Sequence, residues 1–297
     1  MIEFVKRWEQ LIGRENVQKM LRVKLKQAIR INTLKISQQE LIKRLSENNI
    51  NVKKIKYLKF GYFAHSRFSL SSTTEHLLGY YYIQESGSQV PAEVLDPKKS
   101  DLVLDMAAAP GSKTTQIAQM MENKGAIIAL DLNPKRLNAL RNNCERLGVK
   151  NVLSYKKDGR FAFELGKKFD KILLDAPCSG NFLTDEKWFE KRTVAGLKDM
   201  VQRQREMLKS AVMCSKNNGI IVYSTCSLEP EENELVIDWA LKKYPELELE
   251  KINHIGEDAL TEVFKNKINP EVSKCKRLWP HLTGTQPFFI AKIRVNK

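Results

Sequence analysis

The sequence predicts an α/β fold: a doubly wound, Rossmann-like domain over residues 81–297, preceded by a small basic α+β domain over residues 1–80. Two observations carry this. From residue 101 onward, short apolar runs alternate with segments of helical period, the pattern of a mostly parallel sheet with helices on both faces. Before residue 100 the elements are mixed, and no repeat or low-complexity stretch appears. At 297 residues and 42% hydrophobic, the chain can bury a full core and has the composition of a globular protein.

In the first part, residues 2–12 and 15–29 place apolar side chains at helical spacing: Phe4, Trp8 and Leu11, then Val17, Leu21, Leu25 and Ile29. Ser37 followed by Glu40 is a capping-box signature for a third helix to about residue 47. Val52, Ile55, Tyr57 and Phe60 read as a strand ending at Gly61. Residues 86–95 form a short helix that Pro97 stops.

In the second part, strands are expected at 101–105, 126–130, 151–155, 171–175 and 219–225. Helices at 112–123, 134–147 and 197–215 separate them, and Gly148 closes the second. Residues 287–295 form a last strand, expected at the end of the sheet. In such sheets ligands bind beyond the carboxyl ends of the strands, so the strand tips are where chemistry should lie.

Fifty basic against thirty-five acidic residues give a net charge of +15. Residues 1–60 hold fifteen Lys/Arg and five Asp/Glu, so +10 of the surplus lies there. Solvated helix faces would be the bland explanation. A surface that meets a polyanion is the other, because phosphate neutralisation supplies most non-specific affinity for nucleic acid. No apolar run approaches the ~20 residues of a membrane-spanning helix, and MIEFVKRWEQ is no secretory signal, so a cytoplasmic protein without a membrane partner is expected.

The five cysteines, at 144, 178, 214, 226 and 275, have no CxxC spacing and are odd in number. A disulfide framework or a metal site is therefore not expected. Cys144 and Cys214 lie inside helices and suit core packing, whereas Cys275 has no informative context. Cys178 and Cys226 stand at the tips of adjacent strands, in DAPCSGNF (175–182) and YSTCSLEPEENE (223–234). Two thiols so placed are poor candidates for core filler.

The other strand tips carry acids. The first ends in Asp105 and runs into MAAAPGSKTTQ, where tiny residues and Gly111 allow close approach to a ligand. The second ends in Asp131, about twenty residues past Gly111, suited to a ribose diol. Asp158 follows the third strand, placed for an adenine amino group, and Asp175 ends the fourth. Taken singly, each acid could be a helix cap or turn residue; together they point to a nucleoside cofactor. The chain lacks GxGxxG, and Pro110 occupies a loop that a pyrophosphate would need open. S-adenosyl-L-methionine (AdoMet) carries no phosphate, and its cationic groups suit Asp105 and Asp175.

A thiol beside a methyl donor has a chemical rationale. Pyrimidine C5 is too weak a nucleophile to accept a methyl group unaided. Addition of a thiolate to C6 creates an enamine whose C5 attacks the methyl group, after which a base removes the C5 proton and the thiol leaves. Asp175 could contact the base edge near N3, and Lys113 could add electrostatic help. Position alone leaves open which thiol attacks.

At these residues the chain resembles the RsmB/NOP (Sun) family of RNA cytosine-C5 methyltransferases. LDMAAAPGSKT (104–114), ALDLNPKRL (129–137), DAPCSG (175–180) and YSTCSLEPEENE (223–234) follow that family's motifs in order. AIRINTLK (28–35), YYIQESGSQVPAEVLDP (81–97) and RLWPHLTGTQPFFIAKI (277–293) extend the likeness over nearly the whole chain. The resemblance implies that Cys226 is the nucleophile and that Cys178 assists release of the product. It also implies AdoMet binding by Ala107, Ala108, Ala109, Pro110, Gly111, Ser112 and Lys113, then Asp131, Arg136, Asp158 and Asp175. One departure is visible: Thr-Gln-Pro stands where the closing motif usually has Asp-Gly before Phe-Phe.

The expected activity is therefore formation of 5-methylcytidine in RNA. A compact chain of this type resembles an archaeal tRNA enzyme, with rRNA the alternative substrate and a monomer the expected state. A non-catalytic RNA-binding assembly factor on the same fold is the competing reading, against which the two thiols, Lys113 and the acids speak. An enzyme acting on DNA, or on another atom of RNA, is the third.

Overall fold

The computed structural model describes residues 1–297 and contains two principal sheets. The smaller is four-stranded and antiparallel, in the order β2 (Asn51–Lys54), β3 (Gly61–His65), β1 (Ala28–Ile31) and β4 (Tyr81–Ile83). The capping box behaves as expected: Ser37 Oγ accepts from the Glu40 amide and starts α3 (Gln38–Glu47). Leu41 and Leu45 of α3 pack with Ile29, Ile31, Tyr62 and Tyr81 of the sheet.

Two expectations for this region are corrected. The helix read over 15–29 stops much earlier: α1 (Ile2–Ile12) and α2 (Arg14–Leu21) are helical, but Ala28–Ile31 is the buried central strand β1. Ile29 satisfied the helical spacing only by coincidence, and strand pairing on both sides decides its conformation. The single strand read over 52–60 is two elements. β2 ends at Lys54, Leu58 lies in the connecting turn, and Gly61 opens β3 rather than closing a strand.

The larger sheet has nine strands. Its parallel part runs β9 (Ser215–Thr225), β8 (Phe169–Asp175), β5 (Leu102–Asp105), β6 (Ala126–Asp131) and β7 (Val152–Lys156). The switch in strand order falls between β5 and β8. On one face lie α5 (Ser86–Leu95) and α6 (Ser112–Met120), whose Val90 and Ile117 meet Val103, Ile127 and Leu173. On the other lie α9 (Leu197–Cys214) and α10 (Glu234–Lys243), whose Leu208 and Ile237 meet Ile172, Leu174 and Ile221. In β8, Leu173 faces one layer while Ile172 and Leu174 face the other, the period of two that buries both sides of a sheet. Helix α7 (Pro134–Leu147) ends at Gly148 in the left-handed conformation, as its sequence requires.

The last strand, β15 (Phe288–Val295), is not at the end of the sheet. It pairs antiparallel with β9 over Phe289–Val295, and its other edge is shared by β14 (Lys276–Leu278) and β10 (Leu247–Glu250). Its near-continuous burial, with Phe289, Ile290 and Ala291 inaccessible, belongs to an interior strand.

The basic amino-terminal helices dock on the larger domain. Trp8 Nε1 donates to Glu229 Oε1 at 2.7 Å, and Arg7 pairs with Glu229 and Glu231. Phe4 and Trp8 pack with Trp188, Leu228 and Trp279. Part of the early positive charge is therefore spent inside the molecule. Arg30, which is 1% exposed and has no carboxylate partner, reaches from the small sheet to the larger domain. Its guanidinium donates to Gln84 and Thr115, and also to Gln119 of α6. No helix is long and apolar enough to cross a membrane.

Candidate active site

Asp105 ends β5 and is almost fully buried. Thr114 Oγ1 donates to its Oδ2 at 2.7 Å. Burial lifts its carboxyl to about 6, and the charge of Asp175 adds to the effect. The following loop reaches Gly111 at φ +104°, where an added Cβ would lie 2.6 Å from Leu140 Cδ1, so only glycine fits. Ala108 and Ala109 turn inward against Leu137 and Leu140. Ala107 instead faces a cavity of about 670 Å³ beyond the strand ends, lined also by Met106, Asp131, Arg136, Asp158 and Gly159.

Three of these lining groups are already engaged. Asp131 accepts from the Asn133 amide at 2.9 Å and lies 3.2 Å from the Arg136 guanidinium, which also donates to the Ala109 carbonyl. Asp158 caps the short helix at Gly159–Leu165, and hydrogen bonds from Arg160 hold its carboxyl below the usual range. An added Cβ on Gly159 would stand 2.9 Å from the Met106 carbonyl, so the cavity floor there is closely fitted. The volume is that of a nucleoside-sized ligand. Ser112 and Lys113, expected in the same group, start α6 and are not among the residues lining the cavity.

Lys113 is buried and its Nζ donates to Asp175 Oδ2 at 2.8 Å. Burial opposes its charge, but Asp175 and Cys226 outweigh that cost and raise its pKa. The ammonium also lies over the Phe288 ring, 5.3 Å from the centroid. Asp175 Oδ1 accepts from Ser224 Oγ at 2.8 Å, across the paired ends of β8 and β9.

The two strand-tip thiols meet. Cys178 Sγ and Cys226 Sγ are 3.5 Å apart as free thiols. The hydrogen bond from Cys178 lowers the Cys226 thiol, and the Lys113 charge reinforces it against burial and Asp175. The same bond and burial push Cys178 well up. The other three cysteines lie elsewhere: Cys144 is lifted to about 11 by burial, and Cys214 and Cys275 are buried and also raised.

Reading the strand tips missed the residues beneath the thiols. Glu232 is inaccessible and accepts from the Ser179 amide and hydroxyl and from Gln204 Nε2. Asn181 Nδ2 donates to the Cys226 carbonyl, and Thr225 Oγ1 to Asn233 Oδ1. The Glu-Glu-Asn-Glu run after Cys226 was the available signal. Four polar residues in a row look like a solvated turn, yet Glu232, Asn233 and Glu234 are all buried.

Comparison with known proteins decides the family. A model described as 16S rRNA methyltransferase RsmB/F matches residues 92–294, and one for the N-terminal domain of 16S rRNA methyltransferase RsmF matches residues 2–86. The chain belongs to the RsmB/F methyltransferase family. Among its relatives, a tRNA (cytosine(72)-C(5))-methyltransferase of Pyrococcus horikoshii is 42% identical over 77% of this chain and 56% of that protein. A tRNA (cytosine(49)-C(5))-methyltransferase of Pyrococcus abyssi is 38% identical over 98% of this chain and 95% of that protein. The chain thus spans little more than half of the first relative and nearly all of the second. A crystal structure of a methyltransferase homolog protein from Pyrococcus horikoshii superposes with a TM-score of 0.90 at 42% identity, covering 98% of this chain and 94% of that one. NSun6 from Pyrococcus horikoshii, crystallised with SFG, superposes with a TM-score of 0.87 at 30% identity, covering 99% and 97%. The RsmB/F fold is thus an α/β sheet of mostly parallel strands, as the alternation of elements implied.

Proposed function

We propose that this protein is an RNA cytosine-C5 methyltransferase that uses AdoMet and acts on tRNA. The observation that carries it is the contact between Cys178 and Cys226, 3.5 Å apart, beside the Lys113–Asp175 pair and next to a nucleoside-sized cavity. The names of the Pyrococcus tRNA methyltransferases support the substrate class. The name of the family model favours rRNA as the second reading.

Ala107, Asp131, Arg136, Asp158 and the loop through Gly111 would hold AdoMet, which supplies an electrophilic methyl group when bound. The chain's own residues prepare the base. Cys226, lowered by Cys178 and Lys113, adds as thiolate to pyrimidine C6, and the electron pair of the C5–C6 bond moves toward the ring edge. Lys113 is placed to balance that charge, while Asp175, already accepting from Lys113 and Ser224, would take the exocyclic amine. Once C5 carries its methyl group, a base removes the C5 proton as the sulfur–C6 bond breaks. The Cys178 S–H then hydrogen-bonds the departing thiolate of Cys226, which fits a part in release.

Docking of RNA is assigned to the small domain within residues 1–80. Its sheet region carries lysines over aromatic rings: Lys26 on Phe63, Lys54 on Tyr62 and Lys59 on Phe60. The test is transfer of labelled methyl from AdoMet to transcribed tRNA and rRNA, with products digested to nucleosides. The expected result is 5-methylcytidine in tRNA, lost in Cys226→Ala. Full activity in that variant, or absence of 5-methylcytidine from every RNA, would overturn the reading.

A further inference from the structure

Beneath the two thiols lies a carboxylate for which the mechanism above has no use. Glu232 is fully buried, yet no lysine or arginine pairs with it. Oε1 accepts from the Ser179 amide at 2.9 Å and from Gln204 Nε2 at 3.0 Å. Oε2 accepts from Ser179 Oγ at 2.5 Å. Burying a carboxylate without a cation is costly, so three donors aimed at it mark a fixed place for negative charge.

Its two bonds to Ser179 place it on the Cys178 side, although the Ser179 hydroxyl also lies 3.1 Å from Ser227 Oγ, next to Cys226. Ser179 directly follows Cys178, so Glu232 grips the loop that carries Cys178 by its backbone. Gln204 reinforces this grip by donating also to the Pro177 carbonyl at 2.9 Å. The charged groups facing the two sulfurs differ accordingly. The charges acting most on Cys178 are those of Cys226 and Glu232, both of one sign. Cys226 faces Cys178, Asp175, Glu232 and the Lys113 ammonium.

We propose that Glu232 is a positioning residue that tells the two cysteines apart: it fixes the Cys178 loop and, as a buried negative charge on that side, keeps the pair's remaining proton on Cys178. When the pair loses one proton to solvent, the anion resides on Cys226, nearer the cation, and Cys178 stays S–H and donates to it. A second negative charge on Cys178 would stand against Glu232 in a low-dielectric interior. The raised thiol of Cys178 and the lowered thiol of Cys226 agree in direction. The inference builds on the reading of these thiols as the reactive centre, but its test needs neither RNA nor AdoMet, so the two can fail separately.

Glu232→Gln separates charge from shape. Its Oε1 can keep both N–H donors, and its Nε2 can donate to Ser179 Oγ, so three hydrogen bonds survive while the charge is lost. The measurement is alkylation of the intact protein by iodoacetamide between pH 6 and 9, with each cysteine quantified by peptide mass spectrometry. In the wild type, Cys226 should react at least about tenfold faster than Cys178 at pH 7, the ratio given by one unit between two thiols. In Glu232→Gln, Cys178 should gain and the ratio fall by about threefold or more. Ser179→Ala keeps the charge but drops one bond, and should preserve the preference. An unchanged ratio in Glu232→Gln, or an equal loss in Ser179→Ala, would overturn the proposal. Should Glu232→Gln not fold, the wild type still tests the proposal, because Cys178 reacting as fast as Cys226 or faster overturns it.

Discussion

Lys113 Nζ lies 2.8 Å from Asp175 Oδ2, so the loop after β5 and the tip of β8 are tied together directly behind the thiols. The pair does two things at once. It holds Asp175 as an acceptor, and it sets the Lys113 charge to act on Cys226.

Removing that cation should be visible in pH dependence. Cys226 has a lowered thiol pKa, so the acid limb of kcat/KM should fall below the ordinary thiol range. Lys113→Met should move that limb to higher pH and reduce the rate at pH 7 by about 10²-fold or more. It should also destabilise the fold by ~3 kcal/mol, because Asp175 loses its buried partner. Methyl transfer across pH 6–9 and urea unfolding check both.

Cys178→Ala should leave attack possible but remove the donor to the departing sulfur. A covalent protein–RNA adduct should then accumulate, seen as a slower band on a denaturing gel. Cys178→Ala/Cys226→Ala should show no adduct, because the carbon–sulfur bond needs Cys226.

Asp105 couples stability to pH in the unusual direction for a carboxylate. Its pKa is about 6 when folded against 3.8 as the reference value. Between those values the native state binds the proton more tightly, so this group's effect on stability worsens as pH rises from 4 to 6. Above pH 6 the burial of the charge costs on the order of 3 kcal/mol. Asp105→Asn should therefore raise Tm at pH 7.5 and change it little at pH 4, while weakening cofactor binding. Calorimetry at both values, with and without AdoMet, measures this.

Gly159→Ala should impair the cavity and cost some stability. The added Cβ would press on the Met106 carbonyl and on Met207 Cε at 2.7 Å, both at the cavity wall. An increase of about tenfold in the KM for AdoMet, with tRNA affinity unchanged, is expected.

What was legible in the sequence followed physical locality. The capping box at Ser37, the glycine closing α7 and the apolar strands of the large sheet depend on neighbours in the chain, and they folded as read. Ile29 did not, because its strand partners Tyr62 and Ile83 lie thirty residues or more away. The site divided along the same line. Cys178, Cys226, Asp175 and Lys113 were visible because reactive types stood at strand tips. Glu232 and Ser224 were not, because a buried glutamate and a serine reveal themselves only through the donors and acceptors that surround them.

The interior place of β15 has a consequence for how the chain is made. β9 is complete at Thr225, yet its antiparallel partner begins at Phe288, after all the other strands described. During synthesis the nascent domain therefore passes through a stage with Ile221, Tyr223 and their backbone amides along an open, sticky border. The same delay leaves Lys113 without the Phe288 ring against which it rests until that strand is added.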